Sequence, residues 1–406
     1  AAAFRLWLAY LYLRLHRIDD AAKLTAAWKP DQMSDLGAYA LAWVAFAGGD
    51  RERARRAITT AAATWKDGVS RPAVERDLVL ILARTGTEVA AAARLIAEAA
   101  GGDAQRRYLW MFKLSEAYKY AGDYQAASAA LEAITEEAAK GSKGAGMPAD
   151  DLVGFRYRQA DYAFRLNRPG EAAERAMQAR KELAACGAKC PEATTQPVME
   201  RILKLAQFSH TVYAKSLDGR HYDAAVALYQ HYIAIPGRPD AAEARGYLSS
   251  LQETRATAQP TAGKHDQDVL LNFFWARREA VAACYEAALL IEPGLEGMLK
   301  LSLEIDAGGE VSGATSEPGA GAQGMAAVAG CLIERARTWT FPSRTVPGKT
   351  TLVTPLELRR QQPGSGPPGS GAPAGDPAKS DPAKSDPAAP PSKPTPPGKG
   401  PEKPPG

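Results

Sequence analysis

Through residues 1–250 the chain reads as one helix after another. Ala is abundant, Gly and Pro are sparse inside the stretches, and apolar side chains recur at helical spacing, as in Leu109, Met111, Phe112, Leu114 and Tyr118. That spacing gives each helix one apolar stripe, which has to be buried against another element. The chain is therefore predicted to be mainly α. The pattern stops before the end: 15 of the 29 prolines fall in the last 46 residues, where no Val, Ile, Leu, Met, Phe, Trp, Tyr or Cys occurs. With nothing apolar to bury, residues 361–406 are predicted to be a disordered Pro/Gly/Ala/Lys-rich tail, a spacer or a ligand for proline-recognition modules. The remaining 360 residues leave room for two or three domains.

Charge narrows the partners. Lys plus Arg at 50 against Asp plus Glu at 46 gives a net charge of +4, too small for the basic footprint of a nucleic-acid binder. The first residue is Ala rather than Met, which points to a removed leader or to a targeting signal upstream. Phe4 to Leu15 is apolar for only about a dozen residues and holds Arg5 and Arg14, whereas a membrane span needs about 20. A packed amphipathic helix is expected there, with membrane association only indirect or through a missing N-terminal segment.

The segment YLWMFKLSEAYKYAGDYQAASAALEAI places Met111, Leu114 and Tyr118 on a first helix, Gly122-Asp123-Tyr124 at a turn and Ala127 inside a second helix. In this it resembles a tetratricopeptide repeat. Aligned on the small residue of the second helix, further candidates fall at Ala21 (HRIDDAA), Ala54 (GGDRERA), Ala91 (RTGTEVAAA), Ala173 (RPGEAAERA) and Ala225 (GRHYDAA). The intervals through the set are 33, 37, 36, 46 and 52. The unit period is about 34, so the last two carry insertions. Ala has a physical reason here, since helix axes approach to about 8–10 Å only where the crossing side chains are small. The resemblance implies a TPR-like helical-repeat solenoid, a right-handed superhelix, over residues 1–250.

The resemblance also implies a concave groove lined by the first helices, the usual seat of an extended partner peptide. Carried onto these residues, the groove comprises Arg76 and Arg84, then Phe112, Glu116, Lys119 and Tyr120, then Arg158, Tyr162 and Arg165, then Gln207 and His210. The set is basic with aromatics, which suits an acidic segment or a free carboxylate. The competing reading is a solvated face, where charged residues normally sit. Cys186 and Cys190, in CGAKC, fall in an insertion loop before PEATTQPV. A zinc site would need two more ligands, and C-x-x-x-C misses the redox spacing, so a small disulfide pinning the loop is expected.

Residues 251–268 (LQETRATAQPTAGKHDQD) form a polar connector, after which a domain over 269–360 is predicted. A helix through ARREAVAACYEAALLIEP leads to strands GMLKLSLEI and EVSGATS, joined at Asp306-Ala307-Gly308-Gly309. A helix MAAVAGCLIERARTW and a strand TTLVTPLEL follow. The order is α-β-β-α-β, with Leu299, Leu301, Leu303 and Ile305 alternating to bury one face. CYEAALLIEPGLEGMLKLSLEIDAGGEV, then AGCLIERARTWTFP, then the closing strand looks like the AgmX/PglI C-terminal domain, a relative of the TonB C-terminal domain. Its most specific pieces are Cys284-Tyr285-Glu286, the Pro293 and Gly297 spacing, Gly309-x-Val311, Cys331 and Trp339-Thr340-Phe341-Pro342. The resemblance implies a bacterial cell-envelope protein, of a kind that includes gliding-motility components and, among the TonB relatives, proteins that transmit force to outer-membrane partners.

Within such a domain Cys284 lies on the first helix and Cys331 on the second, both covering one face of the sheet. A disulfide between them is expected, against the alternative of two buried free thiols. A bridge implies an oxidising compartment, the periplasm or cell envelope. Trp339 and Phe341 are read as core anchors. Strands Leu299 to Ile305 or Thr351 to Leu358 (Thr351, Leu352, Val353, Leu356, Leu358) would offer an edge to which a partner strand adds, unless that edge is capped.

Two motifs look catalytic. Gly319 to Gly324 spells G-x-G-x-x-G between a strand and a helix, yet no acidic residue follows near Arg344 and the domain is too small for a doubly wound sheet. Gly348-Lys349-Thr350 resembles the end of a phosphate loop, with Ser343 in the place of the first Gly; it is read as a turn feeding a strand. His16, His210, His221, His231 and His265 never fall at i, i+4, and no H-E-x-x-H or G-x-S-x-G occurs. No catalytic residue, metal ligand, cofactor or small-molecule substrate is assigned. The expected function is a non-enzymatic envelope scaffold or adaptor whose repeats bind one protein partner and whose small domain docks to another, in a motility or transport machine. The alternative is an assembly or protein-handling factor in which only the repeats bind and the small domain caps or dimerises.

Overall fold

The computed structural model describes residues 2–65, 70–139, 149–186, 190, 192–235, 240–258, 265–289, 292–319, 325–344 and 347–359. The tail expectation for 361–406 and the Gly-rich run beyond Gly319 lie outside the described residues. Twelve helices follow in pairs joined by tight turns: α1 (Ala2–Arg14) with α2 (Ile18–Thr25), α3 (Asp35–Ala47) with α4 (Arg51–Thr64), α5 (Arg71–Arg84) with α6 (Val89–Ala100), α7 (Ala104–Tyr120) with α8 (Tyr124–Ala139), α9 (Ala149–Arg165) with α10 (Pro169–Cys186), and α11 (Glu192–Ser216) with α12 (Gly219–Ile233). Each pair packs on the next through apolar side chains, in one buried cluster from Ala38 to Tyr162 and another from Val153 to Leu251.

The aligned alanines lie on the second helix of each pair. Ala21, Ala54, Ala127, Ala173 and Ala225 are buried. In the third pair the buried residue is Ala92, and Ala91 is rotated to a half-buried position. The turn inside every pair contains one residue in the left-handed region: His16 (φ 56), Gly49 (φ 79), Gly86 (φ 64), Gly122 (φ 75), Asn167 (φ 58) and Leu217 (φ 57). In three of these turns the next residue is an Asp whose carboxylate accepts a backbone N–H of the second helix. Asp50 accepts from Arg53, Asp123 from Ala126 and Asp218 from Arg220.

Helix α13 (Ala241–Thr257) runs through residues 251–257, so the polar connector is shorter than expected; fully buried Leu251 holds the helix end in the core. Two helices, α14 (Gln267–Trp275) and α15 (Arg278–Leu289), precede the sheet where one was expected. The extra helix is anchored by buried Phe273 and Phe274, with Asp266 capping it at Val269 N. Strands β1 (Gly297–Ile305), β2 (Val311–Pro318) and β3 (Thr350–Leu358), with α16 (Ala326–Ala336) between the last two, complete an α-α-β-β-α-β unit. The sheet is antiparallel in the order β2-β1-β3. Leu301 therefore faces both Ser316 and Thr354. Leu299 to Ile305 is thus the central strand and offers no edge, since both sides of its backbone are paired.

Leu299, Leu301, Leu303, Ile305, Leu352 and Leu356 are buried in the core shared with α14, α15 and α16. Between β1 and β2, Gly309 (φ 88) gives its carbonyl to Phe341 N at 2.7 Å, and a Cβ placed there would lie 2.0 Å from Phe341 O. Gly309 and the Trp339-to-Pro342 run are therefore one contact. Both disulfides are formed. Cys186 joins Cys190, and Cys284 on α15 joins Cys331 on α16 with Cα atoms 5.8 Å apart. Such bridges belong to an oxidising, extracytoplasmic compartment. Among the described residues no helix is long and apolar enough to cross a membrane.

Candidate functional site

The turns inside the helix pairs are also where the small α+β unit meets the helices, and residues 1–360 form one compact body. At the α7/α8 turn the approach is backbone to backbone: a Cβ on Gly122 would lie 2.4 Å from Ala280 Cα on α15. The carbonyl of neighbouring Ala121 accepts from the Arg335 guanidinium of α16. Tyr124 Oη donates to Glu279 Oε2 at 2.7 Å and is 3.1 Å from Ala276 O, and Arg165 Nη1 donates to the same carbonyl at 2.9 Å. Further along, Asn167 Nδ2 donates to Phe341 O at 2.6 Å, and Thr340 Oγ1 donates to Leu166 O at 3.0 Å. Ser343 N donates to Asp218 Oδ2 at 2.9 Å. On the other side, Arg84 Nη2 at the end of α5 meets Glu286 Oε2 of α15 at 2.6 Å.

Aromatic packing closes this seam. Phe164, Phe208, His221 and Phe273 form an edge-and-face cluster with centroids 4.7 to 6.4 Å apart. Val212 of α11 belongs to the buried core of the sheet unit. Buried His221 lies 3.0 Å through Nε2 from Asn167 Oδ1, and burial pushes its pKa down to about 4. Burial raises the Glu279 and Asp218 carboxyls, but hydrogen bonds outweigh it and hold both below the ordinary carboxylate range. The donors are Tyr124 for Glu279, and Arg220 and Ser343 N for Asp218.

A cleft of about 650 Å³ lies along the seam. Arg51, Arg84, Arg168, Arg277 and Arg335 line it, against one carboxylate, Asp123. Arg277 is fully buried, donates to Phe273 O and Thr340 O at 2.7 Å each, and is drawn down to about 10 by that burial.

The expected groove residues separate into groups. Arg84 and Arg165 belong to the seam. On α7 and α9, Glu116 accepts from Lys119 Nζ at 3.1 Å, from Arg158 and from Tyr162 Oη at 3.4 Å. Phe112 stacks on Phe155 with centroids 5.2 Å apart, and Arg158 covers its ring. Tyr120 is exposed beside Lys119. Tyr162 is 2% exposed, so its ring is core and not groove lining. Arg76 reaches Asp77 at 3.0 Å. On α11, Gln207 is half-buried, and His210 Nδ1 lies 3.4 Å from Tyr229 Oη.

On β3, Leu352, Leu356 and Leu358 point into the core, whereas Thr351 and Val353 are exposed. The outer backbone of this edge is partly engaged. Gln267 Nε2 donates to Thr351 O at 3.3 Å, and Pro355, two pairs along on the same side, has no N–H. Among the described residues no three His, Cys, Asp or Glu converge as metal ligands. Of the seam residues, Gly122 and Tyr124 enter the sequence reading only as a repeat turn and His221 only in the histidine-spacing test, whereas Asn167, Glu279 and Arg335 are not singled out there. The one available signal was the left-handed turn residue followed by Asp. Comparison with known protein families, curated proteins and solved structures finds no match.

Proposed function

We propose that the chain is a non-enzymatic scaffold or adaptor of the bacterial cell envelope, resident in the periplasm. In this reading the helix pairs make a TPR-like solenoid that gathers one protein partner. The AgmX/PglI-type, TonB-like domain docks to a second envelope component, in a gliding-motility or transport machine. The observation that carries the proposal is the seam, because an adaptor has to hold two binding modules in fixed relation. Backbone contact at Gly122 and Ala280, the Tyr124–Glu279–Arg165 cluster and the shared aromatic core supply that rigidity. The two disulfides support the compartment.

The sheet unit would capture its partner by strand addition at β3. Outward N–H groups there alternate with inward ones, so Val353 shares the open side with Pro355 and Thr351. Val353→Pro removes an outward donor and leaves the β1–β3 ladder intact. Expected is loss of most periplasmic crosslinking of the full chain to an envelope partner, with an unchanged thermal midpoint. Undiminished crosslinking rejects capture at this edge. The seam also favours a second reading, an assembly factor in which the sheet unit only caps the helix turns. Under it, Val353→Pro alters self-association alone.

A further inference from the structure

We propose that the arginine-lined cleft along the seam binds an acidic polypeptide segment of a partner protein, whose carboxylates pair with Arg51, Arg84, Arg168 and Arg335. The inference rests on the adaptor reading and names the chemistry of one partner.

Charge is the first argument. Five guanidinium groups and one carboxylate, Asp123, line the cleft. Glu286 at 2.6 Å from Arg84 and Glu171 at 3.6 Å from Arg168 offset two of them, so the excess positive charge rests on Arg51, Arg277 and Arg335 in a chain whose net charge is only +4. Asp123 is already committed, capping α8 through Ala126 N. Arg277 and Arg335 donate to backbone carbonyls on this surface, and among the described residues neither makes an ion pair within 4 Å. Burial pulls Arg335 below its ordinary range; Asp123 opposes this and Arg84 adds to it. Clustered, half-desolvated cations of one sign are costly, and an incoming anion relieves that cost. Arg51 is exposed and makes no ion pair among the described residues.

Shape is the second argument. The arginines are spread along four consecutive pair turns: Arg51 opens α4, Arg84 ends α5, Arg335 reaches Ala121 in the α7/α8 turn, and Arg168 precedes α10. With neighbouring helices about 8–10 Å apart, the row extends on the order of 25 Å. A lone phosphate reaches one or two of these groups. An extended peptide, rising about 3.3 Å per residue, spans the row with about eight residues. Ala83, Ala280, Ala283 and Ala287 give the cleft a low floor where a backbone can lie. The chain shows the recognition within itself: the Glu286 carboxylate sits on Arg84 at 2.6 Å and Glu279 beside Arg165 at 3.3 Å. A partner carboxylate would use the same chemistry.

The test is fluorescence anisotropy of a labelled Glu-Ala octapeptide with the full chain, at low and high salt. Arg51→Glu is the main variant. Its site is exposed at the first position of α4, where a carboxylate suits the helix dipole. Arg168→Glu is the second variant, and Arg245→Glu, exposed on α13, is the charge-matched control. Expected is saturable, salt-sensitive binding, weakened about ten-fold by each cleft variant and less than about two-fold by the control. Absence of binding, or equal weakening by Arg245→Glu, overturns the proposal. So does displacement of the peptide by inorganic phosphate at equal concentration, which would mark a small-anion site. None of these outcomes bears on β3, so the adaptor reading stands or falls separately on Val353→Pro.

Discussion

Gly122 and Gly86 occupy equivalent turns in adjacent helix pairs, yet only one of them touches the sheet unit. Both are left-handed, at φ 75 and φ 64. A Cβ at Gly86 meets nothing within 4 Å, whereas at Gly122 it would lie 2.4 Å from Ala280 Cα and 2.7 Å from Ala280 N. Gly86→Ala therefore carries only the backbone cost of the left-handed region, about 1–2 kcal/mol. Gly122→Ala carries the same cost plus a collision with backbone atoms of α15, which cannot swing aside as a flexible side chain would. Overpacking of this kind typically adds about 1–3 kcal/mol. The full chain should unfold in urea at a lower midpoint for Gly122→Ala than for Gly86→Ala. Amide exchange should localise the difference, with faster exchange in Ala280–Tyr285 and in the Thr340–Ser343 segment for Gly122→Ala only. Equal destabilisation by the two substitutions, or unchanged exchange in α15, would show that the two modules do not meet backbone to backbone and would refute the rigid seam.

Acid should open the same interface from its other end. Buried His221 has a folded pKa of about 4 against an ordinary 6.5, so between those values the unfolded chain takes a proton that the folded chain refuses. Its contribution is complete above about pH 6.5 and falls by up to about 3 kcal/mol as pH drops to 4. His221→Gln should flatten the dependence of the urea midpoint between pH 6.5 and 4.5, and an unchanged slope counts against this assignment. The carboxylates Asp218 and Glu279 act lower, their contribution disappearing as pH falls below the ordinary carboxylate range. At the amino-terminal turn, exposed His16 holds φ 56 without need. His16→Gly should raise stability by about 1 kcal/mol by thermal or urea melting, and a loss would mean its side chain has a role in that turn.

Local pattern was legible in the residues, and long-range pairing was not. Ala54, Ala127 and Ala225 announce themselves because a small side chain at a helix crossing recurs with the helix pair. Leu299 through Ile305 do so because one pleated face is buried. The one-residue error at Ala91 reflects how little distinguishes adjacent positions in VAAAA. The helix break between α14 and α15 was hidden for a different reason. Its cause is tertiary: the Ala276 carbonyl is taken by Tyr124 and Arg165, and Arg277 folds back onto Phe273 O. The pairing of Arg84 with Glu286 across 202 positions, or of Asn167 with Phe341 across 174, leaves no periodic trace. The basic cleft is invisible for the same reason, since its arginines come from distant turns and a nearly balanced net charge conceals them.

The staple between α15 and α16 sets how this unit would bear a pull on its two ends. Tension entering through Cys284 can leave through Cys331 across the sulfur bridge, so the stretch between them, a separation of 47 positions with β1 and β2 in it, carries no load. About 160 Å of contour stays locked, at roughly 3.4 Å per residue. Strand β3 lies outside that covalent loop and is held without a covalent bond, by its ladder to β1, by Leu352, Leu356 and Leu358 in the core, and by hydrogen bonds from His265 and Gln267. Under force it is the first strand to shear away, which makes the outer strand the mechanical fuse of the unit.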